Sequence, residues 1–542
     1  YTKQNLHSTN LPAIKIDKDS EATGETILVV LRRALSQYSS LQGPDGHWPG
    51  DYSGILFILP LMIFALHVTR SLNEVLSIEH IREICRYIYN IQNEDGGWGT
   101  HTLGPSSMFG TCVNYATLRI LGEELDGEND ALSKGRAWIL SHGSATAAPQ
   151  WAKIYLSVPT IGLGTMQLFL SYGCFHIFSQ FIPEVLVLLS DGLHANGLHL
   201  WKKFVGPITP TILAIRNEIY NIPYNEINWN KARNSCAKED LIYHPSWLQS
   251  IAMAYLNKFI EPLSNLWPMN KLRERAMSNL MEHIHYEDET SNYVGLCPIN
   301  KALNMICCWI EKPNSHEFRQ HLPRIQDFLW IAEDGMKSKV YVGCHSWETA
   351  LIVQAFCSTG LTEEFCSTLQ KAHQFLKNAQ VIQNIPNYKS YYHERTKGSW
   401  TLSNGENFWP IADTNAEALK AILLLSNIPS ELVGDPIKQE RLYDAVDCLL
   451  SFVEYVDSGK PHAVNTAQAM LALLYAGQVE QDPAPLYRAA KELINMQMES
   501  GEFPQQEVVG NFNSSLFFNY PNYRNLFPIW ALGEFRQRLA KK

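Results

Sequence analysis

Apolar residues recur along most of this chain at a period close to one helical turn. From Ala416 to Leu425 and from Val464 to Leu474 they fall at i, i+3 or i+4 and i+7, and Gly477 stops the second run. Proline punctuates the connectors at Pro207, Pro210, Pro298, Pro313 and Pro429, and strand-like alternation is scarce. The pattern predicts a mostly α protein. The apolar stretch Gly54 to Thr69 is short and interrupted by Pro60, which suits a core helix. Ile154 to Ser190 is more apolar than its neighbours, with Gly, Ser and Pro scattered through it, and fits either core or a patch lying on one membrane leaflet. No clean apolar run reaches the roughly 18 residues of a spanning helix. Tyr1 to Thr23 carry no apolar stretch resembling a signal peptide.

Superimposed on the helical period is a degenerate repeat. A basic residue and a small or aromatic one open a helical stretch, an aromatic or apolar residue follows, then a Gln, then a Gly turn ending in an aromatic. One copy runs through Arg33, Ala34, Tyr38, Gln42, Gly46 and Trp48, and a second through Arg86, Tyr87, Gln92, Gly96 and Trp98. A third has Lys371, Ala372, Phe375 and Gln380, followed by a longer loop, and a fourth Ala490, Lys491, Leu493, Gln497, Gly501 and Phe503. A Gln at a helix end can satisfy orphan backbone groups, the Gly permits a tight turn, and the aromatic folds back as a staple. Repetition of such a unit predicts helical hairpins closed into barrels.

Composition narrows the class. The chain has 542 residues, 46% hydrophobic and 18% charged, enough for two domains with large cores. Its 14 Trp, 24 Tyr and 22 Phe are either core filler or the π-faced wall of a cavity. A net charge of −10 and a pI near 6.0 exclude a nucleic-acid-binding face. The 11 cysteines, Cys307-Cys308 among them, form no CxxC pair, so reduced buried thiols are expected rather than a zinc site or a disulfide framework.

Several blocks then carry a specific likeness: DGHWPGDYSG (Asp45–Gly54), QNEDGGWG (Gln92–Gly99), MFGTCVNYATLRILGE (Met108–Glu123) and FVGPITPTI (Phe204–Ile212). So do MEHIHYEDE (Met281–Glu289), HLPRIQDFLWIAEDGMK (His321–Lys337), FPQQEVVGNFN (Phe503–Asn513) and YRNLFPIWALGEF (Tyr523–Phe535). Together they resemble the oxidosqualene cyclases, plant ones in particular, and the repeats are similar to that family's QW motifs. The resemblance implies two α/α barrels, one at 45–315 inserted into another formed by 1–44 and 316–542. It implies cyclisation of (3S)-2,3-oxidosqualene by an isomerase without metal or cofactor. It also implies monotopic attachment to one leaflet, at the cytosolic face of the endoplasmic reticulum or a lipid droplet.

That chemistry needs an acid kept protonated in a water-poor site, and π faces to stabilise cations without attacking them. The family's DCTAE acid motif is matched by WPIADTNAE (Trp409–Glu417), which gives Asp413 the acid role, with Thr414 and Glu417 supporting it. An isolated Asp ahead of a helix would otherwise read as an N-cap. The resemblance places Tyr52, Trp347, Phe512 and Tyr520 on the cavity wall. Departures from the family are Thr414 for Cys, Asn415 for Thr and Leu402 for Phe. The block Val185–Leu200 stands where the family has a Trp-Cys-His/Tyr-Cys-Arg block, leaving His194 and His199 at unmatched spacing. After Arg441–Phe452 the chain passes through Val453–His462 straight to Ala463–Gly477, so several hairpins are missing, with a second Cys that would contact the acid. A barrel shortened in this way is expected to close less easily, because each repeat buries its face only on its neighbours. A catalytically impaired paralogue keeping scaffold and lipid binding is therefore the alternative. A prenyltransferase-like α/α barrel would need a zinc-ligand set, which is not found at plausible spacing.

Overall fold

The computed structural model describes residues 24–50, 53–159 apart from 126, 128 and 129, 206–241 apart from 233 and 234, 266, 269–454 apart from 392 and 407, 462–498, 503, 504, 506, 511, 512, 516, 517 and 521–540. Among the described residues helices dominate, accompanied by two short antiparallel strand pairs. The chain divides into two compact units, one made of residues 1–50 with 343–542 and the other of 51–342.

The inserted unit contains α2 (Ile58–Val68), α3 (Ile78–Asn90), α4 (Met108–Ile120), α5 (Ala131–Ser141), α6 (Gln150–Ser157), α7 (Pro210–Ile219), α8 (Met269–Thr290) and α9 (Pro298–Glu311). Every residue of α2 except His67 is buried, and Pro60 sits in its first turn, where a missing N–H leaves no bond unmade. The start of α4 is capped from afar, since Asp240 accepts from the amides of Met108 (2.6 Å) and Phe109 (2.8 Å). The hairpin β1 (Leu329–Ala332) and β2 (Gly335–Ser338) packs on α3, so the segment from 316 to 342 lies in this unit. Among the described residues no helix is long and apolar enough to cross a membrane.

The other unit contains α1 (Gly24–Leu41), α10 (His345–Ser358), α11 (Cys366–Ala379), α12 (Ala412–Ser426), α13 (Gln439–Glu454), α14 (Ala463–Tyr475), α15 (Ala484–Met496) and α16 (Pro521–Ala540). Helix α10 packs along α12, α11 packs on both, and α14 packs along α16 with α15 beside it. Helices α13 and α14, which additional hairpins separate in the pattern the sequence resembles, are direct neighbours here.

One three-point staple recurs in both units. Gln42 Nε2 donates to the carbonyls of Gly46 (2.9 Å) and Thr368 (3.0 Å), while the Trp48 indole donates to Tyr38 (2.7 Å). Gln92 bonds Gly96 (2.7 Å) and Ala131 (2.9 Å), with Trp98 on Ile88 (2.8 Å). Gln380 bonds Gly398 (2.9 Å) and Arg441 (3.0 Å), with Trp400 on Leu376 (2.8 Å). Each Gln thus joins its own turn to the carbonyl of the next helix, and each buried indole closes on the helix before it. The glycines are required twice over. Their φ values are +99°, +87° and +91°, and a Cβ at Gly46 or Gly398 would meet the backbone of Lys371 or Asp444 at 2.1 Å.

Candidate active site

Helix α12 presents the predicted acid. Its N-cap is Ile411, which offers no side-chain bond, so Asp413 lies inside the first turn and is not a cap. Among the described residues no group donates a hydrogen bond to its carboxyl. The side chain is open to solvent on one side and surrounded by protein on the others. Burial first, then the charge of Glu417 one turn further on, raises its pKa above the ordinary carboxylate value. Glu417 itself is fixed by Gln354 Nε2 of α10, which donates to its Oε2 at 2.6 Å.

The residues flanking the acid behave differently from their sequence roles. Thr414 is fully buried and its hydroxyl has no hydrogen-bond partner among the described residues, so it makes no bond to Asp413. A helical Thr at the next position along points about 100° away from Asp413, which explains why the hydroxyl turns into the core instead. Asn415 is the bonded one. Its Oδ1 accepts from the Trp400 amide (2.5 Å) and its Nδ2 donates to Cys448 Sγ on α13 (3.5 Å).

Trp347 lies in the first turn of α10, partly buried, and its amide reaches the carbonyl of Leu402 (3.4 Å), so the backbones of these two positions meet. The backbone of Phe512 pairs in a two-residue ladder with Leu516. Tyr52, Tyr520, His194, His199 and the side chain of Phe512 lie outside the described residues.

Sequence reasoning passed over three groups. Gln354 stands seven residues after Trp347, the same face of α10, and that spacing was the available signal. Half-buried Glu394 has its carboxyl pushed up to about 7 by burial, against the opposing charge of His393, and lies near the Cys448 thiol. The third group is a polar knot buried in the inserted unit. His321 Nε2 donates to Asp288 Oδ2 (3.1 Å), Lys301 Nζ to His321 Nδ1 (2.9 Å), and Asn304 Nδ2 to Asp288 Oδ1 (3.1 Å). Burial alone would raise Asp288, but the His321 charge and hydrogen bond, then Asn304 and Lys301, outweigh it and hold the carboxyl low. Asp288, Cys308 and His321 bring three ligand-type atoms within 4.8 Å of one another, and the Lys301 ammonium beside them already supplies a positive charge.

A mostly helical chain of stapled hairpins, with a carboxyl of raised pKa in the first turn of α12 that takes no hydrogen bond among the described residues, defines the class by its scaffold: a helical-hairpin protein built from repeated Gln–Gly–Trp staples. Residues 31–163 match the squalene-hopene cyclase N-terminal domain and residues 449–537 the squalene-hopene cyclase C-terminal domain. The chain is 34% identical over 701 residues to alpha-onocerin synthase LCD of Lycopodium clavatum, covering 99% of this chain and 90% of that protein. It is 28% identical over 664 residues to cycloartenol synthase of Dictyostelium discoideum (94% and 91%). With human lanosterol synthase it shares 36% identity over 430 residues (77% and 56%). The chain belongs to the oxidosqualene cyclase family of terpene cyclases.

Proposed function

We propose that this chain is a triterpene synthase that isomerises (3S)-2,3-oxidosqualene to a polycyclic triterpene alcohol. The observation that carries the reading is Asp413, a carboxyl with no hydrogen-bond donor among the described residues, held above its usual pKa in a chain of this family. Such a group can remain protonated where a carboxylate would be useless as an acid. Asp413 gives its proton to the epoxide oxygen, the C–O bond to the more substituted carbon opens, and the neighbouring alkene supplies the electrons for the first ring. Later alkenes continue the cascade, and the last cation loses a proton, so substrate and product have the same composition. Trp347, Tyr52, Phe512 and Tyr520 are assigned to the wall, where π faces stabilise positive charge. Glu417, anchored by Gln354, keeps a negative charge beside Asp413 and opposes its ionisation. No metal and no redox step enters this scheme. The substrate is insoluble in water, so the protein is assigned to one leaflet of the endoplasmic reticulum membrane or the surface of a lipid droplet.

The experiment is incubation of the membrane-bound protein with oxidosqualene and mass spectrometry of the products. The reading predicts a cyclised isomer of the substrate and its loss in Asp413→Asn. Recovery of unreacted oxidosqualene from stably folded protein would leave a scaffold that binds lipid without turning it over.

A further inference from the structure

The first turn of α12 has no side-chain cap, and among the described residues nothing hydrogen-bonds the Asp413 carboxyl directly. The place of the acid is therefore set by how its helical turn is held. Thr414 contributes no bond. Asn415, 1% exposed, contributes two, one to the Trp400 amide and one to Cys448 Sγ. The Trp400 link runs into the third staple, because the Trp400 indole is bonded to α11 and Gln380 bonds the adjacent Gly398. Gln380 Oε1 in turn accepts from Arg441 Nε of α13 (2.9 Å), and the Cys448 thiol donates to the carbonyl of Arg395 (3.4 Å). The amide of Asn415 is thus the point where the acid-bearing turn, the loop Arg395–Trp400 and α13 are tied together.

We infer that Asn415 is a positioning residue for the acid, fixing Asp413 by clamping its turn to Trp400 and Cys448. Thr at this position, as in the DCTAE pattern, is one heavy atom shorter and offers a single hydroxyl, which cannot accept from Trp400 and reach Cys448 together. The inference rests on the acid role of Asp413 and goes beyond it by naming what holds that acid.

Two readouts test it in Asn415→Thr and Cys448→Ala. The first is turnover of oxidosqualene. An acid displaced by about 1 Å costs on the order of a hundredfold in rate, so Asn415→Thr should lose about that much in kcat with KM unchanged. A turn released toward water also lowers the pKa of Asp413, so the alkaline limb of the pH–rate profile should move to lower pH. Cys448→Ala removes one of the two links and should show smaller changes in the same directions. The second readout needs no turnover. A hydrophobic carbodiimide adds to protonated carboxyls, and peptide mass spectrometry reads the modification of Asp413 as a function of pH. The Asn415→Thr curve should lie below the wild-type curve on the pH axis. If Asn415→Thr does not fold, Cys448→Ala decides alone. Labelling curves that coincide with wild type overturn the clamp, even if the product assay fails for every protein; shifted curves without product would retain the clamp and remove the cyclase reading.

Discussion

Two aspartates on helices of this protein sit in opposite electrostatic worlds. Asp288, wholly buried in the inserted unit, takes hydrogen bonds from His321 and Asn304, and its pKa is held below the ordinary value. Asp413, more open to solvent, takes none among the described residues, and its pKa is raised. Depth of burial therefore does not decide which carboxyl stays protonated. Burial raises both, and what separates them is their partners: Asp288 takes hydrogen bonds from His321 and Asn304 near the Lys301 amine, whereas burial of Asp413 is reinforced by the charge of Glu417. A carboxylate satisfied on both oxygens is a structural tie, and one left unsatisfied beside a like charge is an acid in waiting.

The sharpest way to break this comparison is to remove each carboxylate. Asp288→Ala leaves the Lys301–His321 pair buried without its counter-charge and should destabilise the protein by about 3–5 kcal/mol, read by urea denaturation. Next in size, Gln380→Leu strips the donor from the buried carbonyl of Gly398 and the partly buried one of Arg441, and should cost about 1–3 kcal/mol by the same measurement.

The pH dependence separates the two sites by sign. Asp288 and His321 are both held low, and burial brings the Lys301 ammonium down to about 7. In each case the unfolded chain binds the proton more readily, so the knot loses stability as pH falls. Lys301 acts between about 10.4 and 7, His321 below about 6.5 and Asp288 below about 3.9. Asp413, held high, acts the other way, because the folded chain keeps a proton that the unfolded chain has released. Its contribution is lost as pH rises above about 3.9. Asp413→Asn should accordingly raise the melting temperature slightly at neutral pH and little near pH 3, while Asp288→Asn lowers it. The smallest effect belongs to Gln354→Leu. It frees the Glu417 side chain from its anchor beside Asp413, so the charge that raises the Asp413 pKa acts from further away and the alkaline limb of the activity profile should move slightly to lower pH.

The sequence made some of this readable and hid the rest for physical reasons. Gln42–Gly46–Trp48 and Gln92–Gly96–Trp98 are compact, so local spacing exposes the staple directly. Gln380 is separated from Gly398 and Trp400 by an excursion through Tyr388–His393, and a spacing rule stops at the loop while the hydrogen bonds carry across it. The block singles out Asp413 as the candidate acid, yet a motif only names the substituted neighbours. It does not tell that Thr414 turns into the core while Asn415 reaches Trp400 and Cys448. The Asp288 knot draws its members from α8, α9 and the short helix His316–His321, with Lys301, Asn304 and Cys308 sharing one face of α9. No single stretch of chain contains that pattern. The direct packing of α13 on α14 likewise depends on tertiary contact, and a missing block in a sequence says nothing of which helices then meet.

The central claim is that Asp413 holds its proton to higher pH than an ordinary aspartic acid does. Its most direct test is the infrared carbonyl band of a protonated carboxyl, taken as the difference between wild type and Asp413→Asn across a pH titration. The account predicts a band that persists above about pH 4, where an ordinary aspartic acid has ionised. A band that vanishes at or below about pH 4 would contradict it.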